Sequence, residues 1–418
     1  MVAPSDETMI PLALSATGGP AGDAFLAWAL VGASARPEKA TVLFGGDFCP
    51  GPMVEDRAAW LAIADAAGQP FFSSLNALAG YSVVNLESPL GRGATPPKAG
   101  HRLVSDPGWA DVLRRSGVNA VGLANNHTMD QGQGGLAATL SACDDAGLRC
   151  FGAGGSAEQA CEALIVKTGG RTLSVIALAE HEFGVATRTS AGVCPLSPED
   201  ALRRIRSQRA LGNDVIVLVH GGNEHHPLPR PGLRETCRFL VDCGAVAVLC
   251  AHSHIVGPLE WYAGAPILYG LGNLYFPTPG WDQPAGWAEG LCAILSFGEK
   301  EGIEVLLVPT RFDGVSGIAP VTETAARELA ARLEAMSRVV ADDDMLESEW
   351  RRHVESNRRR YLSGLLGLTR LERLALRAGI WPWWRMPRRR TADLLNLIRC
   401  ESHREALIGL LEDVVDGS

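Results

Sequence analysis

A succession of short apolar runs, each delivering an acid, amide or imidazole on the turn at its end, constrains this chain more than any other feature. Thr41-Val-Leu-Phe leads into Gly45-Gly-Asp47, Ser82-Val-Val into Asn85-Leu-Glu87, and Asn119-Ala-Val-Gly-Leu-Ala124 into Asn125-Asn-His127. Further on, Leu173–Ala179 is followed by Glu180-His-Glu182, Asp214–Val219 by His220-Gly-Gly-Asn-Glu224, and Ala245–Cys250 by Ala251-His-Ser-His254. The stretches 266–273, 290–297 and 303–308 continue the series. Runs that are apolar throughout, rather than alternating, read as strands buried on both faces. Between them the sequence predicts helices near 56–67, 107–116, 134–145 and 232–242, and Ser197-Pro198 caps another. Buried strands alternating with helices make a largely parallel α/β sheet covered on both sides.

In such a fold the strand ends converge on one carboxyl edge, where sites are built. Asp47, Glu87, Asn126, His220, His252 and His254 all fall just past an expected strand. Carboxylate, amide and imidazole groups together suit zinc, manganese or iron. A carboxylate bridging two such ions gives a two-metal centre that polarises a substrate oxygen and activates water. His127, next to Asn126, adds a proton donor beside the metal. Each residue alone has a plainer explanation, since Asn and Asp satisfy backbone groups in turns and His-x-His is common. The ordered set carries the signal.

Net charge is −9, which does not suggest nucleic acid, but the charge is uneven. Between Arg351 and Arg390 there are 12 Arg against Glu355 and Glu372, a local balance of +10 that leaves −19 for the remainder. The same segment contains Trp381-Pro-Trp-Trp384. Arg pairs bidentately with carboxylates and phosphates, and Trp anchors amphipathic surfaces. A polyanionic polymer or peptide substrate, an acidic peptide and an anionic membrane surface are the partners that fit; a solvated charged face is the plain alternative. No nucleic-acid module accompanies the charge.

The 418 residues suffice for one large domain plus an appendage. Ten Cys without a C-x-x-C pair read as reduced, mostly buried thiols of a cytoplasmic protein, peripheral to the membrane at most. No stretch reaches the roughly 18 apolar residues of a membrane span. The apolar run Ala24–Ala35 is expected to be a helix packed on the core, because the acidic residues Asp6, Glu7 and Asp23 before it do not suit a signal peptide. The expected organisation is an N-terminal segment with that helix over 1–38, the α/β domain over 39–320, and an Arg/Trp-rich helical appendage over 321–418. Leu329, Leu333, Met336 and Val340 form a helical stripe in that appendage, and 392–415 reads as an amphipathic helix.

Taken in order, Gly46-Asp47, Asn85-Leu-Glu87, Asn125-Asn-His127, His220-Gly221 with Glu224, His252-Ser-His254 with Pro258 and Glu260, and Leu271-Gly-Asn273 resemble the CapA family. That family is associated with capsule and poly-γ-glutamate synthesis and lies within the calcineurin-like metallophosphatase superfamily. The resemblance spans roughly residues 40–312 and implies a four-layer α/β/β/α metallophosphatase-like sandwich, here with a C-terminal helical extension. It implies that Glu87 bridges two divalent ions, that Asn126, His220 and His252 complete one position, and that Asp47 and His254 serve the other. His127 becomes the acid/base, oriented by Asp130, while Glu224, Glu260 and Asn273 match site-lining positions. One departure stands out: the superfamily's first motif is usually Asp-x-His, and Cys49 occupies the His position. Cys49 could ligate as a thiolate or contact substrate, or be a buried inert thiol. His181, His225 and His226 lie on turns at the same edge, as substrate contacts, extra acid/base groups or solvated loop residues.

Three functions are open at this point. The first is a metal-dependent hydrolase acting on a phosphate- or carboxylate-bearing substrate in capsule-type or peptide biosynthesis. The second is a peptide epimerase, in which metal clamps a peptide carboxylate or carbonyl while His127 and a second base (His181, Glu224 or His225) exchange the Cα proton. The third is a non-catalytic assembly scaffold that has kept the fold.

Overall fold

The apolar runs become strands almost where the sequence places them. A computed structural model describes residues 12–18, 24–30, 40–51, 79–96, 98, 101–278, 282–298, 302–313, 317–357 and 370–380. In chain order the first strands are β1 (Leu12–Gly18), β2 (Ala24–Leu30), β3 (Ala40–Phe48), β4 (Tyr81–Leu86), β5 (Ala120–Gly122), β6 (Arg149–Phe151), β7 (Ala153–Gly154), β8 (Leu164–Thr168) and β9 (Arg171–Ala179). There follow β10 (Gly192–Val193), β11 (Asp214–His220), β12 (Ala245–Ala251), β13 (Leu259–Tyr262), β14 (Ala265–Leu268), β15 (Asn273–Tyr275), β16 (Glu289–Phe297), β17 (Ile303–Asp313) and β18 (Gly317–Pro320). The helices are α1 (Trp109–Arg115), α2 (Gly132–Ala146), α3 (Ala157–Ala160), α4 (Pro198–Ala210), α5 (Pro231–Asp242), α6 (Glu323–Ala341), α7 (Asp343–Ser356) and α8 (Arg370–Arg377).

The strands form not one parallel sheet but two large mixed ones, with β7 and β10 paired antiparallel in a small sheet of their own. A ten-stranded sheet runs β2-β1-β17-β16-β3-β4-β5-β6, with β15 paired to β3 and β18 to β17. A six-stranded sheet runs β13-β14-β12-β11-β9-β8. The parallel strands β3 to β6 and β9, β11, β12 and β14 form the halves that carry the polar turns, and antiparallel strands extend each sheet. Continuous apolar runs follow from burial on both faces. In β11, Ile216 points into the cluster shared with Phe44, Val84, Leu249 and Ala293 between the sheets. Its neighbours Val215, Val217 and Val219 point outward, into a second cluster with Ile205 of α4 and Leu233 and Leu240 of α5. Trp109, Leu113 and Leu136 of α1 and α2 join the core from the ten-stranded sheet's side. This is the α/β/β/α sandwich implied by the family resemblance. The expected cap on α4 is present, with Ser197 Oγ accepting from the Asp200 amide and Pro198 in the first turn.

Several expectations are corrected. Ala24–Leu30 is a strand, not a helix: β2 pairs antiparallel with β1, which pairs with β17. A seven-residue apolar stretch has no period that separates the two states, and the available sheet edge decides. The composition change near residue 321 is not a boundary either. The chain divides into compact units Met1–Leu346 and Glu347–Ser418, so α6 belongs to the first. Its stripe Ala326, Leu329, Ala330, Leu333 and Val340 is buried, because an apolar helix face that long needs a partner. The cysteines are not all reduced, since Cys161 and Cys194 form a disulfide across 33 residues of sequence. The expected helix at 56–67, the Trp381–Trp384 cluster and the helix at 392–415 lie outside the described residues. Among the described residues no helix is long and apolar enough to cross a membrane.

Candidate metal centre

Parallel register brings the polar turns together. Asp47 lies opposite Asn85 in β4 and opposite Asn273 in β15, and His220 lies opposite Ala251 at the end of β12. The ladder of β3 slips between Gly45 and Asp47. A side chain at Gly46 would place its Cβ 2.0 Å from the Gly272 carbonyl, so only glycine lets the two backbones approach and Asp47 donate its amide to that oxygen at 3.0 Å.

Two groups of side chains result. Glu87, His220 and His252 each offer an atom within 4.8 Å of the others, and so do Asp47, Glu87 and His254. Glu87 belongs to both. His220 Nε2 lies 3.1 Å from Asn126 Oδ1, 3.1 Å from His252 Nδ1 and 3.6 Å from Glu87 Oε1. His254 places Nδ1 3.3 Å from Asp47 Oδ2 and Nε2 3.7 Å from Glu87 Oε1. The six residues expected at the strand ends therefore meet, and all are buried.

The local backbone is bent to achieve this. His225, His252 and His254 have φ of 64°, 106° and 58°, a region that side chains other than glycine rarely enter and that costs of order 1 kcal/mol or more each. Hydrogen bonds hold the turns: the His252 amide donates to Asp47 Oδ2 at 3.2 Å, and the His225 amide donates to the Ser253 carbonyl at 2.8 Å.

The electrostatics suit a cation. Burial, and then the neighbouring Asp47 carboxylate, push the Glu87 carboxyl well above its ordinary range, and neither of its oxygens has a hydrogen-bond partner. A buried carboxylate with unsatisfied oxygens is costly unless positive charge compensates it. Burial would also raise Asp47, but the hydrogen bond and charge of His254 override it and hold that carboxyl low. Burial keeps His220 and His252 below the usual imidazole range, so both present neutral nitrogens. His254 is shifted the other way: burial opposes its charge, but the Asp47 contact dominates. Carboxylate, amide and neutral imidazole donors around one shared carboxylate are compatible with divalent metal binding.

Next to these groups, His127 Nδ1 lies 2.6 Å from Asp130 Oδ2, which also accepts from the Leu103 amide at 2.7 Å. Lys98, missed from the sequence, completes this corner. Its buried ammonium donates to Asp130 Oδ1 at 2.6 Å and to the Asn126 carbonyl at 2.7 Å, above the Phe183 ring. Its position in the Gly/Pro-rich 91–100 stretch was the only hint. Asn85, quoted in the Glu87 motif but given no role, donates to Asp47 Oδ1 at 2.7 Å and steadies that ligand. Asn125 builds the turn, accepting from the His127 and Thr128 amides.

The remaining expected residues separate. Glu224 is half-buried, and although burial would raise its carboxyl, the nearby His252, His254, His225 and His127 hold it low. His225 is exposed, its ring 6.3 Å from that of His254. His181 is exposed on the turn where Glu182 reaches to 3.6 Å from His252 Nε2. Glu260 is not at the site: it pairs with Arg238 at 2.5 Å and accepts from the Tyr269 hydroxyl at 2.5 Å. Asn273 is fully buried beside the cluster and sets His254 through a 2.9 Å contact to Nδ1. Cys49 is fully buried with its thiol pushed up to about 12 by burial, and it is absent from both ligand groups. Burial favours its protonated form, the state of a packed thiol.

The chain is similar to several known proteins. The bacterial capsule synthesis protein family PGA_cap matches residues 41–278. The PGA biosynthesis protein CapA of Bacillus subtilis is 30% identical over 175 residues, 41% of this chain and 46% of that protein. The capsule biosynthesis protein CapA of Bacillus anthracis is 27% identical over 178 residues, 41% of this chain and 43% of that protein. The chain thus spans less than half the length of these relatives. Among solved structures, the NAD nucleotidase of Haemophilus influenzae is similar with a TM-score of 0.39 and 12% identity over 76% of this chain and 60% of that one. With more than half of its residues matched and the motif side chains gathered in one buried cluster, the chain belongs to the bacterial capsule synthesis protein PGA_cap family.

Proposed function

We propose that the chain is a metal-dependent enzyme acting on an anionic substrate, phosphate- or carboxylate-bearing, in the assembly of a capsule- or poly-glutamate-type polymer or a related peptide. The observation that carries this reading is the buried Glu87 carboxylate, shared by two ligand groups and left without hydrogen-bond partners. Glu87 would be shared between the ions, Asn126, His220 and His252 would hold one of them, and Asp47 and His254 the other. Two divalent ions, manganese, zinc or iron, would polarise a substrate oxygen and activate water when bound. The chain's own residues hold and orient. Asp130 engages His127 Nδ1, which leaves Nε2 to exchange a proton with the substrate. The names of the Bacillus relatives support the polymer class.

Metal per chain, measured by plasma mass spectrometry on wild type and on His252→Ala/His254→Ala, tests this reading together with phosphoester turnover in added manganese. One or two ions lost in the double variant, with turnover in wild type, are the expected results. A metal-free wild type purified without chelator sinks the proposal.

A second reading draws on Glu224, whose carboxyl is held low by the neighbouring His252, His254, His225 and His127. With His127 it supplies two proton-handling groups, the requirement for exchanging a peptide Cα proton, and so for epimerisation rather than hydrolysis. Deuterium uptake from solvent into an uncleaved peptide distinguishes the two. A purely scaffolding role predicts that His127→Ala leaves function intact.

A further inference from the structure

We infer that the second unit docks on an anionic lipid bilayer through α8. Among the described residues only five large hydrophobic side chains are exposed, and three of them, Leu371 at 79%, Leu374 at 60% and Ile380 at 74%, lie in or just after this helix. Leu371 and Leu374 stand three residues apart and so share one face. Arg370 and Arg373, also exposed, repeat the same spacing one residue earlier, which puts a basic stripe about 100° round the helix from the apolar one. An apolar stripe flanked by guanidinium groups is the arrangement of a helix lying in a membrane interface, its leucines in the acyl boundary and its arginines at the headgroups. The charge is complementary: the segment Arg351–Arg390 carries +10 in a chain of net −9. A soluble acidic peptide would satisfy the arginines yet leave the leucines in water, so the bilayer accounts for both stripes. Attachment of this kind is peripheral and needs no spanning helix.

The full-length chain should sediment with phosphatidylcholine vesicles containing phosphatidylglycerol and not with pure phosphatidylcholine, and added salt should weaken binding. Arg370→Gln/Arg373→Gln should lower the partition coefficient about thirtyfold, two basic residues at an anionic surface. Leu371→Gln/Leu374→Gln should lower it at least about tenfold, with metal content and thermal unfolding unchanged because both side chains are exposed. Equal binding to neutral vesicles, no binding to either, or Leu variants that bind like wild type would overturn the inference. So would displacement from vesicles by soluble poly-L-glutamate at equal efficiency in wild type and Leu variant, since that assigns the surface to acidic chains instead.

Discussion

Asp130 is fully buried with both oxygens engaged, one by Lys98 and the other by His127 and the Leu103 amide. Asp130→Asn keeps the shape but removes the charge that fixes the His127 tautomer. Turnover should drop by about 100-fold or more while metal content stays at the wild-type level. Glu87→Gln separates metal from fold. In metal-free protein the folded Glu87 carboxyl is raised, so its contribution is present below the unfolded value of about 4.3 and is lost as pH rises. Chelator-treated Glu87→Gln should therefore gain stability over wild type as pH rises above that value. In saturating metal the order should reverse, because the variant loses the bridging ligand; melting curves with and without chelator, at two pH values, read this directly. At this scale the ligands were legible, since each stands at the end of an apolar run. The partners of Glu260 and Asn273 were not, because Arg238, Tyr269 and Trp287 come from elements that no motif links to them.

Among the elements, β3 depends on Gly46 most directly. Gly46→Ala forces a Cβ into the Gly272 carbonyl, so β3 and β15 must part. The variant should lose about 1–3 kcal/mol in urea unfolding and bind metal more weakly, because Asp47 follows the displaced backbone. Helix α6 makes a different case. Its apolar stripe was readable from spacing, but its docking on the first unit was not, since helical periodicity names a buried face and not its partner. Leu333 is fully buried there, and Leu333→Ala should lower stability by about 2–5 kcal/mol with the metal site intact. Strand β2 shows the opposite limit: its apolar run was visible, but its conformation was set by pairing with a neighbour.

For the whole molecule, the candidate ligands come from both sheets. Asp47, Glu87 and Asn126 lie at or just past strand ends of the ten-stranded sheet, and His220, His252 and His254 at or just past strand ends of the six-stranded one. A metal bound there ties the two layers together, so chelation should lower the melting temperature cooperatively. At a hundredfold excess over the dissociation constant the stabilisation removed is about 2.7 kcal/mol per ion, and a non-cooperative or absent shift would place binding outside this cluster. By itself the sequence determined the α/β class, the strand ends and the residue types on them, because burial on both faces and turn chemistry are written in local pattern. Only the tertiary structure decided that β2 is a strand, that Cys161 pairs with Cys194 and that Lys98 supports His127. Each of those depends on a partner distant in sequence, and local pattern carries the demand for burial or pairing without naming what meets it.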